Sequence, residues 1–267
     1  MLIRITSGDN SRIRLVRKLA TRKGRTAEKR FAVEGRNLVR EVLERGLSID
    51  FIMIPAGSDV EDEDFIRDCI ESPGILVCEI PAREFAELTD AVNGIGMLAV
   101  VRQQDRGQEF LDSLGPDDNI LVLDRIQDPG NMGTLIRTAV AAGYKAIIAM
   151  SGTVDMYSPK VLRATAGMVF GIPVIYVPDE DALRAMLEGT ARRVVVTAVD
   201  GGVPYYEEDL SKGIALIIGN EGSGVSAPLI QMADVKVTLP MKGRIESLNA
   251  AVAAAILMYE AVRGQGI

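Results

Sequence analysis

The chain has 267 residues, with 30 Lys/Arg against 37 Asp/Glu, a net charge of −7, two cysteines and no histidine. That length fits one large domain or two ordinary ones; the 48% hydrophobic share is enough for a core, which small aliphatics must fill because aromatics make up 4% and Trp is absent. Without histidine there is no imidazole acid–base chemistry and no Ser-His-Asp triad, and Cys69 and Cys78 alone cannot build a structural zinc site and read as free thiols.

No apolar run reaches the ~20 residues of a membrane span, and the opening MLIRITSGDNSRIR lacks the apolar segment of a signal peptide. On both counts a cytoplasmic protein is expected. The net charge hides an asymmetry: residues 1–40 carry 12 Lys/Arg and 3 acids, a balance of +9, which leaves −16 for the rest. Such a basic segment is either an electrostatic footprint for a phosphate backbone or a solvated amphipathic helix.

In chain order, NSRIRLVRKLATRKGR reads as one basic amphipathic helix ending near Gly24, RFAVEG as a strand, and RNLVREVLERG as a helix stopped at Gly46. IDFIMIP, GILVCEI and IGMLAVV read as strands, which makes residues 1–105 a small α/β domain. The polar stretch after it, with Gly-Pro-Asp-Asp, reads as a linker over 106–118. From 119 to 267, six segments are continuously apolar or nearly so: 120–123, 146–150, 174–177, 194–199, 214–219 and 235–239. Strands of that kind are covered on both faces, as in a parallel sheet. Helices are expected at Met132–Ala142, Pro159–Phe170, Asp181–Leu187 and 247–263, so the second domain is an α/β, doubly wound one.

Ligands of open parallel sheets bind beyond the carboxyl ends of the strands, and three such ends stand out. In LDRIQDPGNMGTLIRTAVAAG (123–143) a turn leads into a helix for which Asn131 is a good N-cap. Thr134 and Arg137 share a face of that helix, and Arg137, inside an apolar run, is expected at least half-buried and held either by a ligand phosphate or by a carboxylate. IIGNEGSGVS (217–226) has its glycines in the wrong order for a dinucleotide fingerprint, and no phosphate-binding G-x-x-x-x-G-K-[ST] exists anywhere. Its spacing asks for a close backbone approach, either to a ligand or within a tight structural turn. In LPMKGRIESLNAAVAAA (239–255), helix capping accounts for one of Ser247 and Asn249 but not easily for both.

Together the three stretches resemble the ordered motifs of the SpoU (TrmH-like) RNA ribose 2′-O-methyltransferases of the SPOUT class. Asn131 and Arg137 match the first motif, Asn220-Glu221-Gly222 the second, and Pro240, Met241, Gly243, Ser247, Leu248 and Asn249 the third. SPKVLRATAGMVFGIPV is similar to the family's middle segment, and ITSGDNSRIRLVRKL with FAVEGRNLVREVL to the ribosomal-protein-like substrate-binding domain that many members carry. The resemblance implies a parallel-sheet domain with a C-terminal trefoil knot, a topology that no general chain rule predicts. It implies S-adenosylmethionine as cofactor, held by Gly219, Leu239, Met241 and Leu248, no metal, and a homodimer. It implies methyl transfer to a ribose 2′-hydroxyl of RNA, 23S rRNA ahead of tRNA. The competing classes are a non-catalytic RNA-binding protein and a nicotinamide-dependent dehydrogenase. The catalytic set carried over is Arg137, Asn131, Glu221, Ser247 and Asn249, with Asn131 and Glu221 orienting Arg137 and the glycine loop. A guanidinium holds its proton at neutral pH, so positioning an RNA phosphate and stabilising a developing alkoxide suit Arg137 better than acting as a base.

Overall fold

The computed structural model describes every residue except 58–62, 90–95, 105, 244–246 and 267. The chain forms two compact units, one of Met1–Gln104 with Tyr157–Phe170, the other of Asp105–Met156 with Gly171–Ile267.

The first unit runs β1 (Leu2–Arg4), α1 (Ser11–Leu19), α2 (Arg22–Glu28), β2 (Arg30–Glu34), α3 (Arg36–Glu44), β3 (Ile49–Pro55), α4 (Glu63–Glu71), β4 (Val77–Ile80), α5 (Ala82–Leu88) and β5 (Leu98–Arg102). Its sheet has the order β1-β4-β3-β5-β2, with β5 antiparallel to both neighbours. The basic helix expected to run to Gly24 is two helices. Thr21 breaks it, its hydroxyl accepting from the Gly24 N–H at 3.1 Å to cap α2. Gly24 then lies inside α2 against α1, where a Cβ would stand 1.9 Å from the Lys18 carbonyl oxygen. Arg25 is buried and donates to the Leu19 and Ala20 carbonyls at 2.7 and 3.0 Å, satisfying the open end of α1. Phe31 stacks on Tyr157, ring centroids 4.5 Å apart, and lies 5.9 Å from Phe170, so the later segment completes this unit's core.

The second unit begins with α6 (Gln108–Asp112), β6 (Ile120–Leu123), α7 (Pro129–Ala141) and β7 (Ala146–Met150). The stretch expected as a linker therefore carries a helix, and its Leu111 is buried in this unit's core. α8 (Pro159–Thr165) lies in the segment counted with the first unit. It ends well short of the expected Phe170, because Ala166 and Gly167 take φ of 49° and 86° and a separate 3₁₀ turn follows at Met168–Gly171. Then come β8 (Val174–Val177), α9 (Glu180–Leu187), β9 (Arg193–Thr197), β10 (Val203–Pro204), β11 (Ile214–Ile218), α10 (Ala227–Gln231), β12 (Val235–Thr238) and α11 (Ala250–Gly264). All pairings in the sheet β10-β12-β9-β11-β6-β7-β8 are parallel. β6, β7 and β11 are buried along their whole length, as their unbroken apolar runs require. The carboxyl ends of β6, β9, β11 and β12 gather at one edge of this unit, and α11 packs on α7.

Candidate active site

A cleft of about 360 Å³ opens at those strand ends. Its walls come from the ends of β9 and β11, the loop Gly219–Val225, the end of β12 with Leu239 and Met241, and Ser247, Leu248, Ala250 and Ala253. Gly219, Leu239, Met241 and Leu248 all line it, as do Glu221 and Ser247. Among the described residues no Lys or Arg contributes to the wall, while Asp200 and Glu221 do.

The glycine loop is built on Asn220. Its side-chain oxygen accepts from the N–H groups of Gly222 and Ser223, both at 3.0 Å, and from the Ser223 hydroxyl at 3.2 Å. Its backbone pairs with Gly224 in both directions, at 3.1 and 2.9 Å. A Cβ on Gly219 would stand 2.2 Å from the Gly224 carbonyl carbon and from the Val225 nitrogen. The close approach that the spacing asks for is therefore made by the loop's own returning backbone. Gly224, at φ 69°, supplies the left-handed residue that turns it.

The first motif is arranged differently from the expectation. Asp128, not Asn131, caps α7, accepting from the Asn131 N–H at 2.7 Å, with Pro129 opening the helix. This leaves the Asn131 side chain free to reach outward. It donates to Glu221 Oε1 at 3.0 Å and accepts from Asn249 Nδ2 at 2.8 Å. Asn249 is the cap of α11, its oxygen accepting from Ala251 and Val252 N–H at 2.9 and 3.3 Å. Each amide's orientation is forced by its neighbour, so the line Asn249–Asn131–Glu221 has one direction. Glu221 also accepts from the N–H groups of Asp128 and Gln127, at 3.2 and 3.4 Å. Burial works against its ionisation, but these hydrogen bonds, led by that from Asn131, outweigh it and hold its carboxyl below the ordinary glutamate range. One residue from each of the three motifs thus meets in a single hydrogen-bonded line.

Arg137 departs from expectation. It is exposed, since α7 buries Met132, Leu135, Ile136 and Ala139 and turns residue 137 outward. Neither a carboxylate nor Asn131 or Glu221 holds it among the described residues, so the bonds of Asn131 and Glu221 organise the loop and not Arg137. Ser247 is exposed at the cleft wall.

Sequence reasoning missed Asp124 and Arg125. Asp124 is buried at the end of β6 and pairs with Arg125 at 2.7 and 3.1 Å. The hydrogen bond from this pair raises the Arg125 guanidinium above its ordinary range. An acid directly followed by a base at the end of an apolar strand was the available signal.

The SpoU rRNA Methylase family matches residues 118–259, and an MRM3-like substrate binding domain matches residues 10–99. The 23S rRNA (guanosine(2553)-2′-O)-methyltransferase RlmP of Bacillus subtilis is 38% identical over 96% of this chain and 97% of that protein. The crystal structure of an AdoMet-bound rRNA methyltransferase from Sinorhizobium meliloti superposes with a TM-score of 0.85 at 32% identity, covering 98% of each chain. The SpoU methyltransferase AviRb from Streptomyces viridochromogenes, in complex with AdoMet, gives a TM-score of 0.88 at 27% identity over 96% of this chain and 98% of that one. With the three motifs joined by the hydrogen bonds of Asn131 and more than half of its length matched, the chain belongs to the SpoU rRNA methylase family.

Proposed function

We propose that this protein transfers a methyl group from S-adenosylmethionine to a ribose 2′-hydroxyl of RNA, with 23S rRNA as the substrate. The observation that carries the reading is the cleft itself, where the glycine loop, Leu239, Met241, Ser247 and Leu248 converge at the carboxyl ends of parallel strands. A dinucleotide would ask for the fingerprint order of glycines after the first strand of its unit, which Gly219, Gly222 and Gly224 do not have. A sulfonium cofactor carries no phosphate and needs no such fingerprint, so the residues described at the cleft fit it. When bound, it supplies an electrophilic methyl group.

The chain's own residues supply confinement, alignment and help with one proton. Gly219, Leu239, Met241 and Leu248 line the cleft and would hold the cofactor there. The Asn249–Asn131–Glu221 line fixes the mouth of the cleft by tying the glycine loop to the starts of α7 and α11. Arg137, exposed on α7 and without a protein partner among the described residues, is available to an RNA phosphate and to the alkoxide that develops as the hydroxyl loses its proton to phosphate or water. The match to RlmP favours rRNA over tRNA. The basic first forty residues, within the region similar to a substrate-binding domain, support RNA contact there.

The same reading includes the family's trefoil knot, supported by the way the chain leaves β12, adds Leu239, Met241 and Leu248 to a cleft already walled by the glycine loop, and packs α11 on α7. It includes a cytoplasmic homodimer. The face of α11 with exposed Val252 and Tyr259 and half-buried Ala255 and Ile256 offers an apolar surface for a second copy. Calorimetry with S-adenosylmethionine after exhaustive chelation, followed by mapping of 2′-O-methyl groups on 23S rRNA, tests the assignment. One site per chain and one new methyl mark are expected. A protein that binds NADH instead, or binds RNA without methylating it, would overturn it.

A further inference from the structure

The glycine loop is tied down at both ends to one dipeptide. Asp124, buried at the end of β6, accepts the Ser226 N–H at 2.7 Å. Arg125 donates from Nη2 to the Gly224 carbonyl at 3.3 Å, and its own carbonyl accepts the Asn220 side-chain amide at 2.9 Å. The Asp124 carboxylate orients the Arg125 guanidinium through both of its oxygens. Asn220, Gly224 and Ser226 are therefore registered against residues about a hundred positions earlier, and none of these ties uses the Asn131–Glu221 contact.

The dipeptide makes both ties only in an unusual backbone state. Arg125 has φ 58°, the left-handed region that side-chain-bearing residues enter at a cost. It is held there from the far side. Thr153, fully buried, accepts the Arg125 N–H at 3.1 Å and donates to the Leu123 carbonyl at 3.0 Å, while Val154 N–H bonds the Ile126 carbonyl at 2.7 Å. The Arg125 side chain lies over Gly152, where a Cβ would stand 3.0 Å from its Cγ. Extended backbone at residue 125 would swing its carbonyl away from Asn220.

We infer that Arg125 is a positioning residue of the cleft: its guanidinium and its left-handed carbonyl set the conformation of the loop Gly219–Ser226 and, through it, the wall against which the methyl donor sits. The part that concerns the donor rests on the cofactor reading above; the part that concerns the loop does not.

Arg125→Gly separates the two functions of the residue, because glycine keeps the left-handed backbone at less cost and removes only the guanidinium. The melting temperature is expected to stay within a few degrees of wild type, the strain relieved at residue 125 offsetting the cation lost from Asp124. Amide hydrogen exchange across residues 220–226 of the ligand-free protein should quicken, and the dissociation constant for S-adenosylmethionine should rise about tenfold. Arg125→Lys should bind as weakly as the glycine variant, since an ammonium cannot serve a carboxylate and a carbonyl as a planar fork does. Unchanged loop exchange in Arg125→Gly overturns the inference, and so does a loss of binding that merely tracks a lower melting temperature. A wild-type protein that fails to bind S-adenosylmethionine sinks the cofactor reading, while the exchange measurement still decides whether Arg125 sets the loop.

Discussion

Asn249 donates its side-chain amide to the side-chain oxygen of Asn131 at 2.8 Å, across 118 residues of chain. The same Asn249 caps α11 with its other atom. Asn249→Asp keeps the cap, and a carboxylate at a helix N-terminus is favourable, but it presents an acceptor to Asn131 where a donor stood. Asn131 must then turn its amide and release Glu221. The expected result is a melting temperature at or above wild type with a methylation rate lower by on the order of 100-fold. Equal activity would show that the line of amides has no part in alignment.

Arg137→Ala should lower the methylation rate by at least ~100-fold, leave the dissociation constant for S-adenosylmethionine within a few-fold, and change stability by no more than about 0.5 kcal/mol, as at other exposed positions. Arg137→Lys should recover little, because a point charge does not reproduce a bidentate fork on phosphate. The three quantities are to be measured on one preparation. A near wild-type rate for the alanine variant removes Arg137 from the reaction.

Glu221 gives the site an acid limit. Its folded-state affinity for a proton is held below the ordinary glutamate value, so its contribution to stability is complete above about pH 4.3 and is lost as pH falls through the lower folded value. Glu221→Gln cannot accept two backbone N–H groups and an amide at once, and should flatten this acid limb. Urea unfolding between neutral pH and pH 3 compares the slopes; identical slopes would mean that the carboxylate contributes nothing to folding.

Two glycines three apart should behave differently. Gly219→Ala drives a Cβ to 2.2 Å from the Gly224–Val225 peptide, whereas at Gly222 the nearest atom to a Cβ is Asn220 Oδ1 at 3.6 Å. The first substitution should cost about 2 kcal/mol or more and abolish cofactor binding, the second little stability. Melting curves of both variants check this.

For RNA, the residues to change are Arg14 on α1 and Lys23 on α2, both exposed and without an ion pair among the described residues. If they meet phosphates of a single-stranded or looped region, replacing both with Ala should weaken RNA binding and reduce the salt slope of log K by about 1.4. Cofactor affinity should not move. An unchanged slope would place the RNA contact elsewhere.

Much of this architecture is legible in the sequence, for identifiable reasons. β6, β7 and β11 announce themselves because a strand covered on both faces needs no polar residue. The misreadings also have causes. Asp128 and Asn131 are both good caps, and Pro129, which favours the first helical position, was the residue that decided between them. Arg137 sits among apolar residues in sequence, but the buried face of α7 follows Met132, Leu135, Ile136 and Ala139, a spacing that excludes position 137. Thr21 hid a helix break within a continuous basic pattern. The bond between Asn131 and Asn249, and the left-handed turn at Arg125, depend on distant strands being brought together, and no local pattern encodes them.

The first unit is assembled from two stretches of chain, Met1–Gln104 and Tyr157–Phe170. This has a consequence for synthesis on the ribosome. When the first 104 residues have emerged, Phe31, which is only 1% exposed in the finished protein, still lacks the rings of Tyr157 and Phe170 that cover it. β6, α7 and β7 must be made before that cover arrives. The amino-terminal unit therefore cannot finish folding first and wait for its neighbour. A nascent chain stalled between residues 104 and 157 should be open to protease around Phe31, and should close only once residue 170 has cleared the exit tunnel.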